Sequence, residues 1–435
     1  MNIWITIPSI TLRNGNLAFG CFSFQIIYLA SEPDDLIVLS PRWLCVDILG
    51  RLLSHNHIDR FPKSGHLTLD DIRCVFPKSD PIDLLSVFVS LDVCARRHAG
   101  DEIENIFPCF NAIESPASLW EKPADENENE DETSQEVVCG GVLVACPKSA
   151  GSQIKHVFAR VQIALQLALA AQLVGSTARQ WHRGTKIMRE ELSAVVGLSV
   201  GGQMLEIECR GPDARRSDLF QMQEDLCAII FGIMSVCCPG LYLERRPVSA
   251  IHLRAENATP HVYAPRDILA AQLAGRSSIP LDEGTGVAET LADLLAFGSE
   301  EIYSRLKPGI DLHISYLSLY ARCRLSALLD PTDPLGRDWC MLAVACGLAD
   351  HLPSVDTKEA IMLSKTDTIL AMWSNDATAT IRALYKKLLE LERPDVVDML
   401  LELAPMFCPP PLISHGGSGG PRKMKRQISR VSQKS

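Results

Sequence analysis

The last hundred residues carry the pattern that most restricts how this chain can fold. From residue 310 onward, apolar side chains recur every three or four positions in short runs that prolines and glycines separate. The clearest run starts at Trp339, continues at i+3, i+4 and i+7, and stops at Gly347. A short helix is not stable alone in water, so such helices must pack on one another. The pattern therefore predicts a compact all-α bundle over 310–408.

The core of this bundle is predicted from the positions that share the inward face of each run. Leucines continue the helical spacing up to residue 391, and Pro394 suits the first turn of a last helix. Outside the bundle, Trp43 is expected to be a core residue that anchors a helix in the N-terminal part of the chain. The predicted core residues of the bundle are Trp339, Leu342, Trp373, Leu384, Leu388 and Leu400.

Residues 25–113 are expected to form a small winged-helix-like unit. Segments 25–29 and 36–39 read as a β-hairpin around an acidic turn. Thr68, with Asp71 three residues on, resembles a capping box at the start of a short helix. Another helix is predicted over 81–91 from its apolar spacing.

The rest of the chain divides by composition. Residues 114–136 are rich in Asp and Glu and are expected to be a disordered loop. Residues 137–309 predict an α+β unit and a linker, with two strands joined at Gly201-Gly202 and a helix over 217–236. The tail, 409–435, is rich in Gly and Ser and then basic, so disorder is expected there as well.

Charge and cysteine spacing exclude several classes of protein. The net charge of −11 argues against a nucleic-acid-binding protein, which needs a basic face. The 15 cysteines form no CxxC pair, so we expect buried, reduced thiols and neither a metal site nor a cofactor. The apolar stretch 17–30 is too short to span a bilayer. These features predict a soluble, cytoplasmic protein with no membrane span.

Two stretches of sequence resemble one family. Residues 325–340 (LSALLDPTDPLGRDWC) look like the death domain of death-associated protein kinases. Residues 38–45 (VLSPRWLC), continuing to 53, resemble the COR region of the same family, which follows a Roc GTPase unit. The resemblance covers about 25–405. It implies a multi-domain α+β chain. A COR region comes first, with a winged-helix-like part followed by an α+β part, and an all-α six-helix death-domain bundle follows it.

The catalytic motifs of that family are not found in this sequence. There is no Gly-rich loop, no DFG and no GxxxxGK[ST], and His182-Arg183-Gly184 lacks the Asp of a kinase catalytic loop. The chain is therefore expected to be non-enzymatic and to correspond to a fragment, a short isoform or a partial gene model. Signal transduction by protein–protein interaction, in apoptosis or stress, is the expected function. The alternative is the C-terminal regulatory part of an active serine/threonine kinase.

The resemblance implies that partners bind through charged side chains on the bundle. The expected partners are other death-domain or signalling proteins, and the COR-like region is a candidate for homodimerisation. For each charge the alternative is an ordinary solvated helix face. Ser429, with Arg426 three residues before it, is a candidate phosphorylation site, against the alternative of an unmodified tail. The candidate partner-binding residues are Arg337, Asp338, Arg382, Lys386, Lys387, Arg393 and Asp395, with Glu392 and Asp398 beside them.

Overall fold

The computed structural model describes most of the chain, in several ranges. The predicted tail with Ser429, and residues 121–136 of the predicted acidic loop, lie outside the described residues. The described ranges are 4–7, 27–29, 35–99, 102–116, 118–120, 137–146, 151–172, 176–257, 259–281, 286–356 and 364–408.

Strands and helices alternate in the first two thirds of the chain, and helices dominate the last third. The strands are β1 Trp4–Ile7, β2 Ile27–Leu29, β3 Asp35–Val38, β4 His66–Leu67, β5 Ala95–Ala99, β6 Glu102–Ile106, β7 Val137–Ala145, β8 Ser176–Trp181, β9 Gly184–Arg189, β10 Leu192–Leu198, β11 Met204–Pro212, β12 Glu244–Val248, β13 Ser278–Pro280, β14 Ala288–Thr290, β15 Lys307–Pro308 and β16 Phe407–Cys408. The helices are α1 Trp43–Leu49, α2 Gly50–Leu52, α3 His55–Ile58, α4 Leu69–Val75, α5 Pro81–Ser90, α6 Gly151–Gln172, α7 Arg216–Cys237, α8 Ala250–Arg254, α9 Pro265–Leu273, α10 Leu291–Ala296, α11 Glu300–Arg305, α12 Leu319–Leu329, α13 Trp339–Ala345, α14 Leu352–Val355, α15 Lys365–Trp373, α16 Ile381–Glu390 and α17 Pro394–Leu403.

The first unit contains the predicted hairpin and the predicted capping box. β2 pairs antiparallel with β3, and β1 adds to the other edge of β3. Thr68 Oγ1 accepts from the Asp71 backbone amide, and the Asp71 carboxylate accepts from the Thr68 amide at 2.8 Å, which fixes the start of α4. β4, β6 and β5 form a second antiparallel sheet that packs with the helices around one apolar core.

Trp43 is not the central anchor of this core, contrary to the sequence expectation. It is half-buried and packs on the edge of the core, whereas Leu44, Ile48 and Leu52 are at most 2% exposed. The reason is that α1 is a π-helix, which has more residues per turn than an α-helix. Residues spaced four apart therefore face inward, and Trp43 falls beside that stripe.

The second unit is a six-stranded antiparallel sheet in the order β12-β7-β11-β10-β9-β8. The predicted two strands joined at Gly201-Gly202 are β10 and β11, with Val196 opposite Ile207. α6 and α7 cover one face of the sheet, and their apolar side chains build the largest core of the chain. The helical segment 213–237 is apolar and long enough to cross a membrane, but half of it is buried in this core.

The third unit is built from α12 to α17, and its core also takes residues from outside those helices. Leu269 of α9 and Ile310 and Leu312, which precede α12, are at most 1% exposed within it. The predicted core positions are all buried there: Trp339, Leu342, Trp373, Leu384, Leu388 and Leu400. The chain leaves this unit through β16, which pairs antiparallel with β15.

Candidate protein-interaction surface

The outward side of α13 exposes two apolar residues one turn apart. Trp339, Leu342 and Ala343 are buried on its inward side. Met341 and Val344 consequently face outward, and each is 48% exposed. Together, Met341 and Val344 form what we call the α13 patch. Contiguous exposed apolar surface is one mark of an interaction site.

Asp338 lies at the start of α13 but does not belong to its exposed surface. It is 5% exposed. Its carboxylate accepts from the Cys340 amide at 2.9 Å, as a helix N-cap, and from the Asp333 amide at 3.3 Å. The expectation of a free charge at Asp338 is therefore wrong, because the carboxylate is used to begin the helix.

Arg393 is likewise not a free charge, since its guanidinium joins three parts of the bundle. The side chain is 13% exposed. Its Nη1 donates to the Arg337 carbonyl at 2.8 Å, and its Nη2 donates to the Leu328 carbonyl at 2.9 Å. The Asp395 carboxylate completes the site by accepting at 2.8 and 2.9 Å. The turn before α17 is thereby fixed to the end of α12 and to the start of α13.

Three further candidate cations are also engaged within the chain. Arg337 pairs with Asp333 at 3.0 Å, and Arg382 pairs with Asp311 at 2.7 Å. Lys387 donates to the Ala345 carbonyl at the end of α13, and its ammonium lies 5.3 Å from the centre of the Trp373 ring. These contacts leave each side chain only partly exposed.

Lys386 differs from the other candidate cations. It is exposed, and it has no ion pair or side-chain hydrogen bond within the part of the chain that the structure describes. Glu392 and Asp398 are exposed as well. Spacing in the sequence identifies the outward side of a helix, but it does not reveal which long side chains reach a carbonyl or a carboxylate.

The bundle should lose stability in acid through these paired carboxylates. Hydrogen bonds from Arg393 lower the pKa of Asp395 below its ordinary value near 3.8, and those from Arg337 do the same for Asp333. A lowered folded-state pKa stabilises the fold above the unfolded pKa, and this contribution disappears as the pH falls through the folded value. We expect Asp395→Asn to reduce the fall in melting temperature between about pH 5 and about pH 3.

The variant must be compared with the unmodified chain, because acid also acts on carboxyl groups of the second unit. Burial raises the pKa of Glu206 and Glu208, so these two groups stabilise the fold as the pH falls, which opposes the loss at Asp395. The exposed Asp398→Asn change is the matched control. An equal loss of melting temperature in Asp395→Asn and in the unmodified chain would contradict the assignment.

Another part of the bundle contacts the second unit. Tyr320 of α12 stacks on Tyr242, which precedes β12, with ring centres 4.7 Å apart. Gln272 of α9 donates to the Met406 carbonyl at 3.0 Å. α9 packs along α17. These contacts join segments far apart in the sequence and were not predicted. Gly309 leaves no room for a side chain beside Pro405 and Met406. This glycine was the one residue in the sequence that indicated a close contact there.

No metal site is found within the described ranges, where no group of three or more His, Cys, Asp or Glu side chains could hold an ion. The cysteines in those ranges are free thiols. Burial raises the pKa of Cys94 to about 12, which keeps that thiol protonated.

Comparison with known proteins defines the C-terminal bundle as a death domain: the family model "Death domain" matches residues 322–404. The chain is also 29% identical over 395 residues to "Death-associated protein kinase dapk-1" of Caenorhabditis elegans. That match covers 89% of this chain and 27% of the relative, so the chain spans about a quarter of the relative's length. The resemblance of this chain to the C-terminal part of the death-associated protein kinases is confirmed.

Proposed function

We propose that this chain transmits signals by protein–protein interaction through its death domain, as the scaffold or regulatory region of a death-associated protein kinase homologue. The α13 patch is the observation that carries the proposal. Its two apolar side chains are exposed, and within the described residues none of those that line the cleft beside the second unit lies on α13. Other death domains are the proposed partners, in apoptosis or stress signalling in the cytoplasm. No catalytic activity is assigned to these residues.

The α13 patch has the composition of a small interface core. Partner binding would remove Met341 and Val344 from water, at about 25 cal/mol per Å² of apolar area. The partly engaged Lys387, which reaches the end of α13, and the exposed Lys386 on the neighbouring α16 would supply orientation and a faster encounter rather than most of the affinity. We expect the energy of binding to concentrate in the two apolar side chains.

Introducing negative charge into the patch tests the proposal directly. The full chain carrying Met341→Glu and Val344→Glu is titrated against a panel of purified death domains. A partner that binds the unmodified chain is expected to lose affinity by at least about tenfold, because two carboxylates would be desolvated at the interface. Val200→Glu is the matched control, since Val200 is 97% exposed in a turn of the second unit. Failure of every death domain to bind, or unchanged affinity in the double variant, would refute the proposal.

The second candidate function is that of a regulatory region attached to an active serine/threonine kinase. The similarity to a protein named as a kinase favours it. Mapping of transcripts upstream of Met1 separates the two: continuous coding sequence with kinase motifs supports the regulatory region, and a start at Met1 supports a scaffold that acts alone or competes with the kinase for partners.

We also propose finer assignments for the three units. The order α1, β4, α4, α5, β5, β6 in the first unit supports a winged-helix-like half of a COR region, and the second unit would be its other half. The helices α12 to α17 support a six-helix death-domain bundle. Homodimerisation would use the COR-like region, and sedimentation of the full chain over a range of concentrations tests it.

A further inference from the structure

A short segment leads from the first unit onto the six-stranded sheet, on the face opposite α6 and α7. It consists of residues 112–116 and 118–120, which we call the strap, and no helix or strand lies among these described residues. Near its start, the Ile113 carbonyl accepts from the His182 amide of the second unit at 2.8 Å. Residues 112–115 are exposed. The strap therefore begins with one hydrogen bond to the second unit and little burial.

The other end of the strap is held by two cations of the sheet. The Leu119 carbonyl accepts from Lys186 Nζ at 2.5 Å. The centre of the Trp120 ring lies 4.3 Å from the guanidinium carbon of Arg210 and 5.5 Å from Lys186 Nζ. At these separations the ring makes cation–π contacts with both side chains. Trp120 is thus the residue that fastens the strap to β9 and β11.

The guanidinium under the ring is itself fixed in place. Arg210 pairs with Glu208 at 2.9 Å and with Glu256 at 2.8 Å, and it donates to the Leu253 carbonyl at 3.2 Å. Its side chain is 13% exposed. Because the cation is already oriented, closing the strap orders only the strap itself.

The ring also lies where an apolar side chain of the sheet needs a cover. Val195 of β10 is directly opposite Lys186 on one side and Glu208 on the other. Opposite residues point to the same face of a sheet, so Val195 faces the strap rather than α6 and α7. It is nevertheless only 7% exposed. Trp120 lies over the neighbouring Lys186 and Arg210 and is therefore positioned to exclude water from Val195.

We propose that the strap is a conformational latch between the first and second units. In the closed state, seen here, Trp120 holds the strap on the sheet and covers Val195. In the open state the ring leaves Arg210 and Lys186, and the strap detaches as one piece up to His182. Exposed backbone without regular structure opens at low cost, so the two ends of the strap control this equilibrium. Opening would bare an apolar strip of the sheet and give the first unit freedom to move.

Hydrogen exchange in the full chain tests the latch from the side of the ring. In Trp120→Ala, exchange of the His182 amide and of peptides from the strap should rise at least about fivefold, because the strap opens as one piece. Trp120→Phe should give an intermediate rise, since a phenyl ring binds a cation less well than an indole ring. Glu114→Ala, in the exposed part of the strap, is the matched control and should leave exchange unchanged.

A second measurement tests the latch from the side of the cation. Lys186→Met removes the charge and the hydrogen-bond donor, whereas Lys186→Arg keeps both. The full chain is exposed to a short pulse of hydroxyl radicals, and oxidation of the Trp120 indole is measured by mass spectrometry. Oxidation should rise at least about threefold in Lys186→Met and stay near the unmodified value in Lys186→Arg.

Three outcomes would overturn the proposal. These are unchanged exchange at His182 in Trp120→Ala, equal oxidation of Trp120 in the two Lys186 variants, and a rise in exchange that extends equally to peptides from α7. The last result would show a general loss of the fold instead of release of the strap. None of these outcomes depends on whether the α13 patch binds a partner.

Discussion

Replacing Arg393 by alanine is expected to lower the free energy of unfolding of the death domain by about 2–4 kcal/mol. Two backbone carbonyls, of Leu328 and Arg337, would lose their charged donor, and the Asp395 carboxylate would lose its ion pair. The Arg393 side chain is 13% exposed, so water could not fully replace these hydrogen bonds. Arg393→Lys should give an intermediate loss, because an ammonium group cannot match the planar fork of donors.

Unfolding of this part of the chain can be followed without isolating it. Denaturant titration of the full chain, with hydrogen exchange read on peptides from α12 to α17, reports the stability of the death domain separately from the other units. Lys386→Ala is the control, since Lys386 is exposed and a surface change of this kind usually stays within about 0.5 kcal/mol. If Arg393→Ala matched that control, the structural role assigned to Arg393 would be wrong.

Replacing Gly309 by alanine should have an effect of similar or larger size, at least about 3 kcal/mol. A Cβ at this position would lie 2.6 Å from the carbonyl carbon of Met406 and closer still to the carbonyl oxygen of Pro405. Both obstacles are backbone atoms and cannot rotate away. The Gly309 amide also donates to the Met406 carbonyl at 2.7 Å, so the clash would separate β15 from β16.

Gly232→Ala provides a matched control for Gly309→Ala. Gly232 lies inside α7, and nothing is within 4 Å of a Cβ built on it. There the change to alanine should stabilise the helix by about 0.5–1 kcal/mol. Both variants are compared by melting temperature and by hydrogen exchange of residues 403–408. Unchanged exchange in Gly309→Ala would show that the backbone accommodates the side chain and would contradict the prediction.

The sequence was sufficient for several elements whose structure a local rule decides. Helical spacing predicted the buried side of α13, because Trp339 and Leu342 follow the period of an α-helix. The capping box at Thr68 and the two strands at Gly201-Gly202 were predicted for the same reason: each depends on residues that are neighbours in the chain. These patterns located single elements in each of the three units.

The sequence was insufficient where distant segments meet. The stacking of Tyr242 on Tyr320 and the packing of α9 on α17 leave no periodic trace. Nor did the charge pattern indicate that Arg393 and Asp338 are used inside the bundle, since both lie among polar residues in turns. The apolar surface that we propose for a partner, Met341 and Val344, could be identified only after the charged candidates had been placed.

The pairing of β15 with β16 also has a consequence for folding rates. It joins residues 307 and 408, and Leu269 contributes to the same core from still earlier in the chain. Contacts of such wide sequence separation form slowly, because loop closure must be completed before they contribute. The helices of the bundle, whose contacts are closer in sequence, should therefore form first. Changes at Gly309 should then mainly accelerate unfolding and leave the refolding rate almost unaltered.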